Sequence, residues 1–217
     1  MGKVVRSLLQ QGNAKLGKAI SVWSIPAVST CPGRTPTCEK VCYATMSRFL
    51  LPSVKDRLAW NYQQSLRPDF TARMVNEIRR KGALVVRIHS AGDFFSKEYA
   101  EAWLSIMRQC PKVRFYAYTR SYRIPDIAPV LEQMAKLRCF RLWYSVDKDT
   151  GLPDCVPPGV RLAYLQVADD EPAQADLMFR VRRLRKEKKT IGLPMICPAE
   201  TSQGKGTTCG SCRHCFD

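Results

Sequence analysis

The sequence predicts an α/β fold: a parallel sheet with helices packed outside it and a cysteine-rich extension at the C-terminus. Three observations predict it. Short apolar, partly β-branched runs alternate with amphipathic stretches of helical period about six times along the 217 residues, and such alternation builds parallel sheets with right-handed crossovers. Nearly every apolar run ends in residues able to do chemistry, and parallel sheets bind ligands beyond the carboxyl ends of their strands. Seven of the ten cysteines fall in two groups, one between Cys31 and Cys42 and one between Cys197 and Cys215. With 45% hydrophobic residues the chain has the composition of a globular protein, not of a disordered one. One domain over residues 1–196, with the segment 197–217 packed on it, fits this length.

Residues 1–20 are basic with an apolar patch, Val4–Leu9, and read as an arm or lead-in helix. Ile20–Ile25 is the first strand. Pro32, Gly33 and Pro36 make the next stretch a loop, and a helix runs from Cys38 to about Leu50. Pro52 restarts a helix with Leu58, Tyr62 and Leu66 at helical spacing. Asp69 caps another, with Phe70, Met74 and Ile78 inward and Gly82 as its stop. Ala83–His89 is a buried-strand pattern. Ser96 caps a helix whose apolar face is Tyr99, Trp103, Ile106, Met107 and Cys110. Val113–Tyr118 is a strand, with Tyr116 and Tyr118 on one side of it. Asp126 caps a helix carrying Val130, Leu131, Met134 and Leu137. Cys139–Val146 is a strand, Gly151–Gly159 a proline- and glycine-rich loop, and Val160–Val167 a strand. Pro172 sits in the first turn of a helix through Leu177, Val181 and Leu184. Thr190–Ile196 is the last strand and runs into Cys197.

The residues just past each strand define the candidate face: Cys31, Cys38 and Cys42; His89, Ser90 and Asp93; Thr119 and Arg120; Ser145 and Asp147; Asp169 and Asp170; Cys197. Cys38 and Cys42 stand one helical turn apart, so with Cys31 they can converge on one metal centre. Three thiolates leave room for a fourth ligand or for a substrate. The fourth is His89, Cys155 or none. The C-terminal run, Cys209-Gly-Ser-Cys212-Arg-His-Cys215, resembles the cluster-binding run of bacterial ferredoxins and takes Cys197 as its further ligand. Zinc held by four cysteines, or by three and His214, is the rival. Disulfides are the weak option, because cysteines this close rarely bridge each other and the N-terminal residues carry no export pattern. Ten cysteines without such a pattern imply a reducing, cytoplasmic setting. Cys110 and Cys139 fall on apolar faces and read as structural. Trp103 and Trp143 read as core.

The net charge is +16, from 35 basic and 19 acidic residues, and it points to a polyanionic partner, most simply nucleic acid. The dense run contains Arg182, Arg183, Arg185, Lys186, Lys188 and Lys189, expected on one helix and its end. A solvated basic surface is the plain alternative. No apolar run approaches the roughly 20 residues of a membrane span.

A first strand followed by a three-cysteine loop, and a second followed by Ser90-Ala-Gly92-Asp93, resembles the radical S-adenosylmethionine superfamily. The spacing here is C-x6-C-x3-C where that superfamily usually has C-x3-C-x2-C. The resemblance implies a partial (β/α)6 barrel and a [4Fe–4S] cluster on Cys31, Cys38 and Cys42 whose open iron binds S-adenosylmethionine. It implies cofactor contacts from Ser90, Gly92, Asp93, Ser145 and Asp147, and an auxiliary cluster on the C-terminal cysteines, so one or two [4Fe–4S] clusters in all. At finer grain, Cys31-Pro-Gly, Cys38-x3-Cys42-Tyr-Ala, Ile88-His-Ser-Ala-Gly-Asp-Phe94 and the C-terminal cysteine run are similar to the cysteine-rich "gene product 88" family of phages and mobile elements. The functional expectation is an iron–sulfur protein that acts on or binds nucleic acid, with His89, Asp93, Ser145 and Asp147 as candidate catalytic groups. The alternative is a non-catalytic iron–sulfur or zinc protein that binds DNA or senses redox state. Asp93 can instead cap its turn, Arg120 can hold a carboxylate or phosphate or sit solvated, and His89 can be a hydrogen-bonded core histidine.

Overall fold

A computed structural model describes residues 6–168, 175–181, 183–184, 195–201 and 206–217. Its eight-stranded sheet keeps the order of the sequence: β1 (Gln10–Gln11), β2 (Ile20–Trp23), β3 (Val85–Ile88), β4 (Arg114–Thr119), β5 (Phe140–Val146), β6 (Val160–Gln166), β7 (Leu177–Arg180) and β8 (Met195–Ile196). From β2 to β8 every neighbouring pair is parallel, and only β1 runs antiparallel to its neighbour. The parallel sheet expected from strand–helix alternation is therefore present.

The helices α1 (Pro36–Lys40), α2 (Pro52–Ser65) and α3 (Phe70–Lys81) lie between β2 and β3. Helix α4 (Lys97–Gln109) joins β3 to β4, and α5 (Ala128–Ala135) joins β4 to β5. Two of the start and stop signals act as their chemistry dictates. Ser96 Oγ accepts from Tyr99 N at 3.2 Å to cap α4, and Gly82 ends α3 at φ +57°. Asp69 stands at the N-cap of α3 but makes no cap bond, because its carboxylate pairs with Arg67 at 2.8 Å.

The two faces of the sheet bury different things. Trp23, Val86, Ile88, Phe115, Ala117, Phe140 and Leu142 pack against α3, α4 and α5 in the main core. The alternate residues Ile20, Val22 and Tyr116 pack against Leu16 and Phe216. Trp143, Ala163 and Leu177 pack against Cys197, with Cys215 at their edge. The C-terminal residues thus cover the sheet face opposite the helices, and Tyr116 and Tyr118 both point to it, as period-two alternation requires. Trp103 and Trp143 are fully buried, and Cys110 and Cys139 pack in the helical core.

Five further expectations change. Asp126, expected to cap the helix through Val130, lies one residue ahead of the α5 N-cap, Ile127, which has no side-chain cap bond. The described part of the lead-in, from Arg6, is not helical. Glu77 accepts from Leu8 N at 2.8 Å and Leu9 N at 2.7 Å, which ties the bend ahead of β1 to α3. The helix expected from Cys38 to about Leu50 is the short α1 and two 3-10 turns, Tyr43–Thr45 and Ser47–Leu50. Thr35 caps α1 three residues ahead of Cys38, and Ser47 at φ +52° breaks the chain away from a continuous helix. The helix expected through Leu177 is strand β7. Leu177 pairs with Ala163 and Arg180 with Gln166, and the short apolar run fits a buried strand as well as a helix face. Leu66, expected on an apolar helix face, is the exposed C-cap of α2. Asp169, Asp170 and residues 190–194 of the last expected strand lie outside the described residues.

Candidate metal centres at the carboxyl ends of the strands

The first cysteine loop is docked, not free. Thr35 Oγ1 accepts from Cys38 N at 3.0 Å and donates to Asp147 Oδ2 at 2.6 Å, so the cap of α1 is tied to the end of β5. Thr37 N donates to Asp149 Oδ2 at 2.7 Å. A Cβ on Gly33 would stand 2.1 Å from the Arg120 carbonyl oxygen, so only glycine lets the loop lie against the end of β4. Gly92, at φ +83°, has the same role on the other side, where a Cβ would meet Ile25 Cγ1 at 2.3 Å. These contacts place Cys31, Cys38 and Cys42 on the same loop at the carboxyl end of the sheet, within electrostatic range of one another. Each is half-buried.

Two buried carboxylates hold this arrangement. Asp93 accepts from Thr119 Oγ1 at 2.5 Å, Arg120 N at 2.8 Å and Phe94 N at 2.8 Å. Asp147 accepts from Thr35 and from Asp149 N and Thr150 N at 3.0 and 3.2 Å, and pairs with Arg120 Nη2 at 3.0 Å. A carboxylate offers about four lone-pair sites, so Asp147 is full and Asp93 nearly so. Both expected cofactor contacts act here as staples between strand ends. Arg120 is buried and its guanidinium lies beside the Cys38 thiol. Burial pushes the Cys31 thiol up to about 12, with Asp93 adding to the rise. Burial also raises Cys38, against the pull of Arg120.

His89 ends β3 in the left-handed region, φ +67°. Its Nε2 meets Tyr99 Oη at 2.8 Å, and that hydroxyl accepts from Trp23 Nε1 at 2.8 Å. Among the described residues Nδ1 has no hydrogen-bond partner. Burial, then Arg87, pushes the imidazole down to about 3, so it is neutral. With Nε2 engaged, only Nδ1 is left to meet a metal. Ser90 Oγ is likewise buried without a partner, and the Tyr43 hydroxyl donates to the Ser90 carbonyl. Ser145 shares the Trp143 face of β5, opposite Ala163. Cys155 is exposed in the loop after β5.

The second group is built from the C-terminus. Helix α6 (Cys209–Cys212) is capped by Thr208 and Ser211, and Cys209 N and Gly210 N donate to Lys15 and Leu16 carbonyls at 2.8 and 3.0 Å. Trp143 Nε1 donates to the Cys215 carbonyl at 2.9 Å, and Arg161 Nη1 to the His214 carbonyl at 3.1 Å. Cys197, Cys209, Cys212, His214 and Cys215 line one small cavity with Leu177 and Thr208. Burial raises Cys197, Cys209 and Cys215, the last to about 11. His214 Nε2 is buried and unpartnered, so the zinc-type donor set keeps its histidine. The donor chemistry of both groups fits thiophilic metals. Among the described residues, no three Cys, His, Asp or Glu side chains converge tightly enough to hold a single ion.

Sequence reasoning missed Thr35, Arg87 and Lys15 at these sites, and placed Tyr118 only on one side of its strand. Only Thr35 carried a signal, as a threonine before the proline that opens a helix. Of the basic run, Arg183 is exposed and donates to the Val167 carbonyl at 2.5 Å. Arg182, Arg185, Lys186, Lys188 and Lys189 lie outside the described residues.

Fold and site define an α/β protein with two cysteine groups, one beyond the first parallel strands and one packed on the inner sheet face. The chain belongs to the gene product 88 family, whose model it matches over residues 7–217. It is similar to the "Gene 88 protein" of Mycobacterium phage L5, at 30% identity over 229 aligned positions covering 95% of this chain and 86% of the relative. The "Gene 88 protein" of Mycobacterium phage D29 is 28% identical, with the same coverage. No solved structure matches. No helix among the described residues is long and apolar enough to cross a membrane.

Proposed function

We propose that this is an iron–sulfur protein of phage or mobile-element type that acts on or binds nucleic acid, with a cluster on Cys31, Cys38 and Cys42 and a second on Cys197, Cys209, Cys212 and Cys215. The observation that carries it is the second group: four cysteines from two segments around one cavity. Thiolates of a multi-iron cluster sit on different irons and stand farther apart than those around one zinc. Sequential parallel order is also the order of a (β/α) barrel arc, which supports the radical S-adenosylmethionine reading and a partial barrel. In that reading a cluster with one iron free of cysteine supplies one-electron chemistry to a bound cofactor. Cys31, Cys38 and Cys42 hold it, and Asp93, Asp147 and Arg120 orient the loop that carries them.

One observation favours a non-catalytic cluster or zinc protein instead. The carboxylates expected to contact a cofactor, Asp93 and Asp147, are already engaged by the protein. Anaerobic purification with iron, sulfide and zinc analysis separates the metals. Titration with S-adenosylmethionine under electron paramagnetic resonance then separates the functions. The catalytic reading expects a brown protein whose spectrum changes with the cofactor. A colourless protein with stoichiometric zinc overturns the iron–sulfur assignment, and a spectrum indifferent to the cofactor overturns the catalytic one. The nucleic-acid partner rests on the +16 net charge.

A further inference from the structure

On the inner sheet face, β3 contributes Arg87 and β4 contributes Tyr116 and Tyr118. The Arg87 guanidinium lies 5.9 Å from the Tyr116 ring and 5.6 Å from the Tyr118 ring, and its Nε donates to the His89 carbonyl at 3.3 Å. Among the described residues no carboxylate forms an ion pair with it, whereas buried Arg120 has Asp147 and Lys15 has Glu200. The Tyr116 and Tyr118 hydroxyls are both buried and, among the described residues, find no oxygen acceptor; Tyr116 faces Arg87 and Tyr118 faces the Cys215 thiol. Cys209 and Cys215 pack into the same cluster of side chains as these two tyrosines. Cys209 is within electrostatic reach of Arg87, and the Cys215 thiol lies beside the Tyr118 hydroxyl.

A shielded cation and a buried hydroxyl whose neighbour is a neutral thiol, a weak acceptor, are costly arrangements. They stop being costly when an anion stands among them. The groups this chain places there are the thiols of Cys209 and Cys215, which become anions once they ligate a metal. Resting on the metal-centre reading above, we propose that Arg87 and Tyr118 are the charge and hydrogen-bond partners of the C-terminal cysteine centre, Arg87 toward Cys209 and Tyr118 toward Cys215. They hold the thiolates in place from behind and are positioning residues, not ligands. The first centre is built differently. Its cation, Arg120, is neutralised by Asp147, and Asp93 stands beside Cys31. Net charge and hydrogen bonds to sulfur set cluster potentials, so with iron–sulfur in both sites the C-terminal centre is the more easily reduced.

The test uses the full chain loaded anaerobically with metal. Metal release to a chelator is followed in wild type, Arg87→Met, Arg87→Lys, Tyr118→Phe and, as a control on the same face, Arg141→Met. Outer-shell partners of ligands are worth about 10–100-fold in metal affinity. Arg87→Met and Tyr118→Phe should therefore release the C-terminal metal about tenfold faster or more. Arg87→Lys should restore most of the retention, and Arg141→Met should behave as wild type. Tyr118→Phe removes one oxygen and keeps the packing, so it decides the matter even where Arg87→Met fails to fold. Unchanged release in both variants overturns the proposal, as does a chain that takes up neither iron nor zinc at these cysteines. If the site holds zinc, the iron–sulfur reading fails while the release assay still tests Arg87 and Tyr118. If it holds a cluster, redox titration should show the C-terminal potential lowered in both variants and the other centre unmoved.

Discussion

Removing the Asp147 carboxylate should release the first cysteine loop from the sheet. In Asp147→Ala, Arg120 loses the carboxylate it pairs with while its side chain stays 7% exposed, and Thr35 loses the acceptor 2.6 Å away. Breaking a buried ion pair by deleting one member costs about 3–5 kcal/mol, because the remaining charge is left buried. The bond from Thr35 to a charged acceptor is worth about 1.5–3 kcal/mol in its own right, not fully additive with the first figure. A loss of about 3–5 kcal/mol is a large part of the roughly 5–15 kcal/mol that stabilises an ordinary domain. Urea unfolding of the metal-free protein measures it. The double variant Asp147→Leu with Arg120→Met removes both charges and should recover most of the loss, since apolar replacement of a whole buried pair is often near neutral. The Asp147→Ala protein, if it folds, should also lose metal from the Cys31 group before the Cys197 group. A cost under about 1 kcal/mol, or a double variant as unstable as the single, would refute the staple.

Burial raises the Glu77 carboxyl, but bonds from Ser7, Leu8 and Leu9 outweigh it and leave the pKa below its ordinary 4.5. The contribution of Glu77 is therefore full above about pH 4.5 and fades as pH falls through the lower folded value, and Glu77→Gln should flatten stability against pH in that acid window. Gly92→Ala should cost about 1–2 kcal/mol for the left-handed backbone and about 1–3 more for overpacking against Ile25, read by urea unfolding. Cys212→Ala should give metal-poor or insoluble protein while Cys110→Ala keeps full metal content, because Cys110 packs only in the helical core. Nucleic-acid affinity should fall steeply between low and physiological salt as counterions are released, and a salt-independent constant would remove that partner class.

Strand ends were legible in the sequence because burial on both faces makes parallel strands read as continuous apolar runs. Ala83–His89, Cys139–Val146 and Val160–Val167 each overlap a strand, β3, β5 and β6. Knowing where those runs stop was enough to bring Cys31, Cys38, Asp93, Arg120 and Asp147 to one place, since in a parallel sheet every such end faces the same way. Strand β7 escaped because four residues, Leu177–Arg180, are too few for period to decide between strand and helix face. Arg87 escaped for a different reason. A single arginine inside an apolar run does not say what it meets, because that depends on what covers its face of the sheet. Here the C-terminal cysteines cover it, a contact between residues more than a hundred positions apart that no local pattern encodes. Contacts of similar range make Asp93 and Asp147 staples of the fold, a role their sequence positions do not announce. Their partners, Thr119 and Thr35, are 26 and 112 residues away, and a lone carboxylate after a strand looks the same in sequence whether its hydrogen bonds go to a ligand or to the fold.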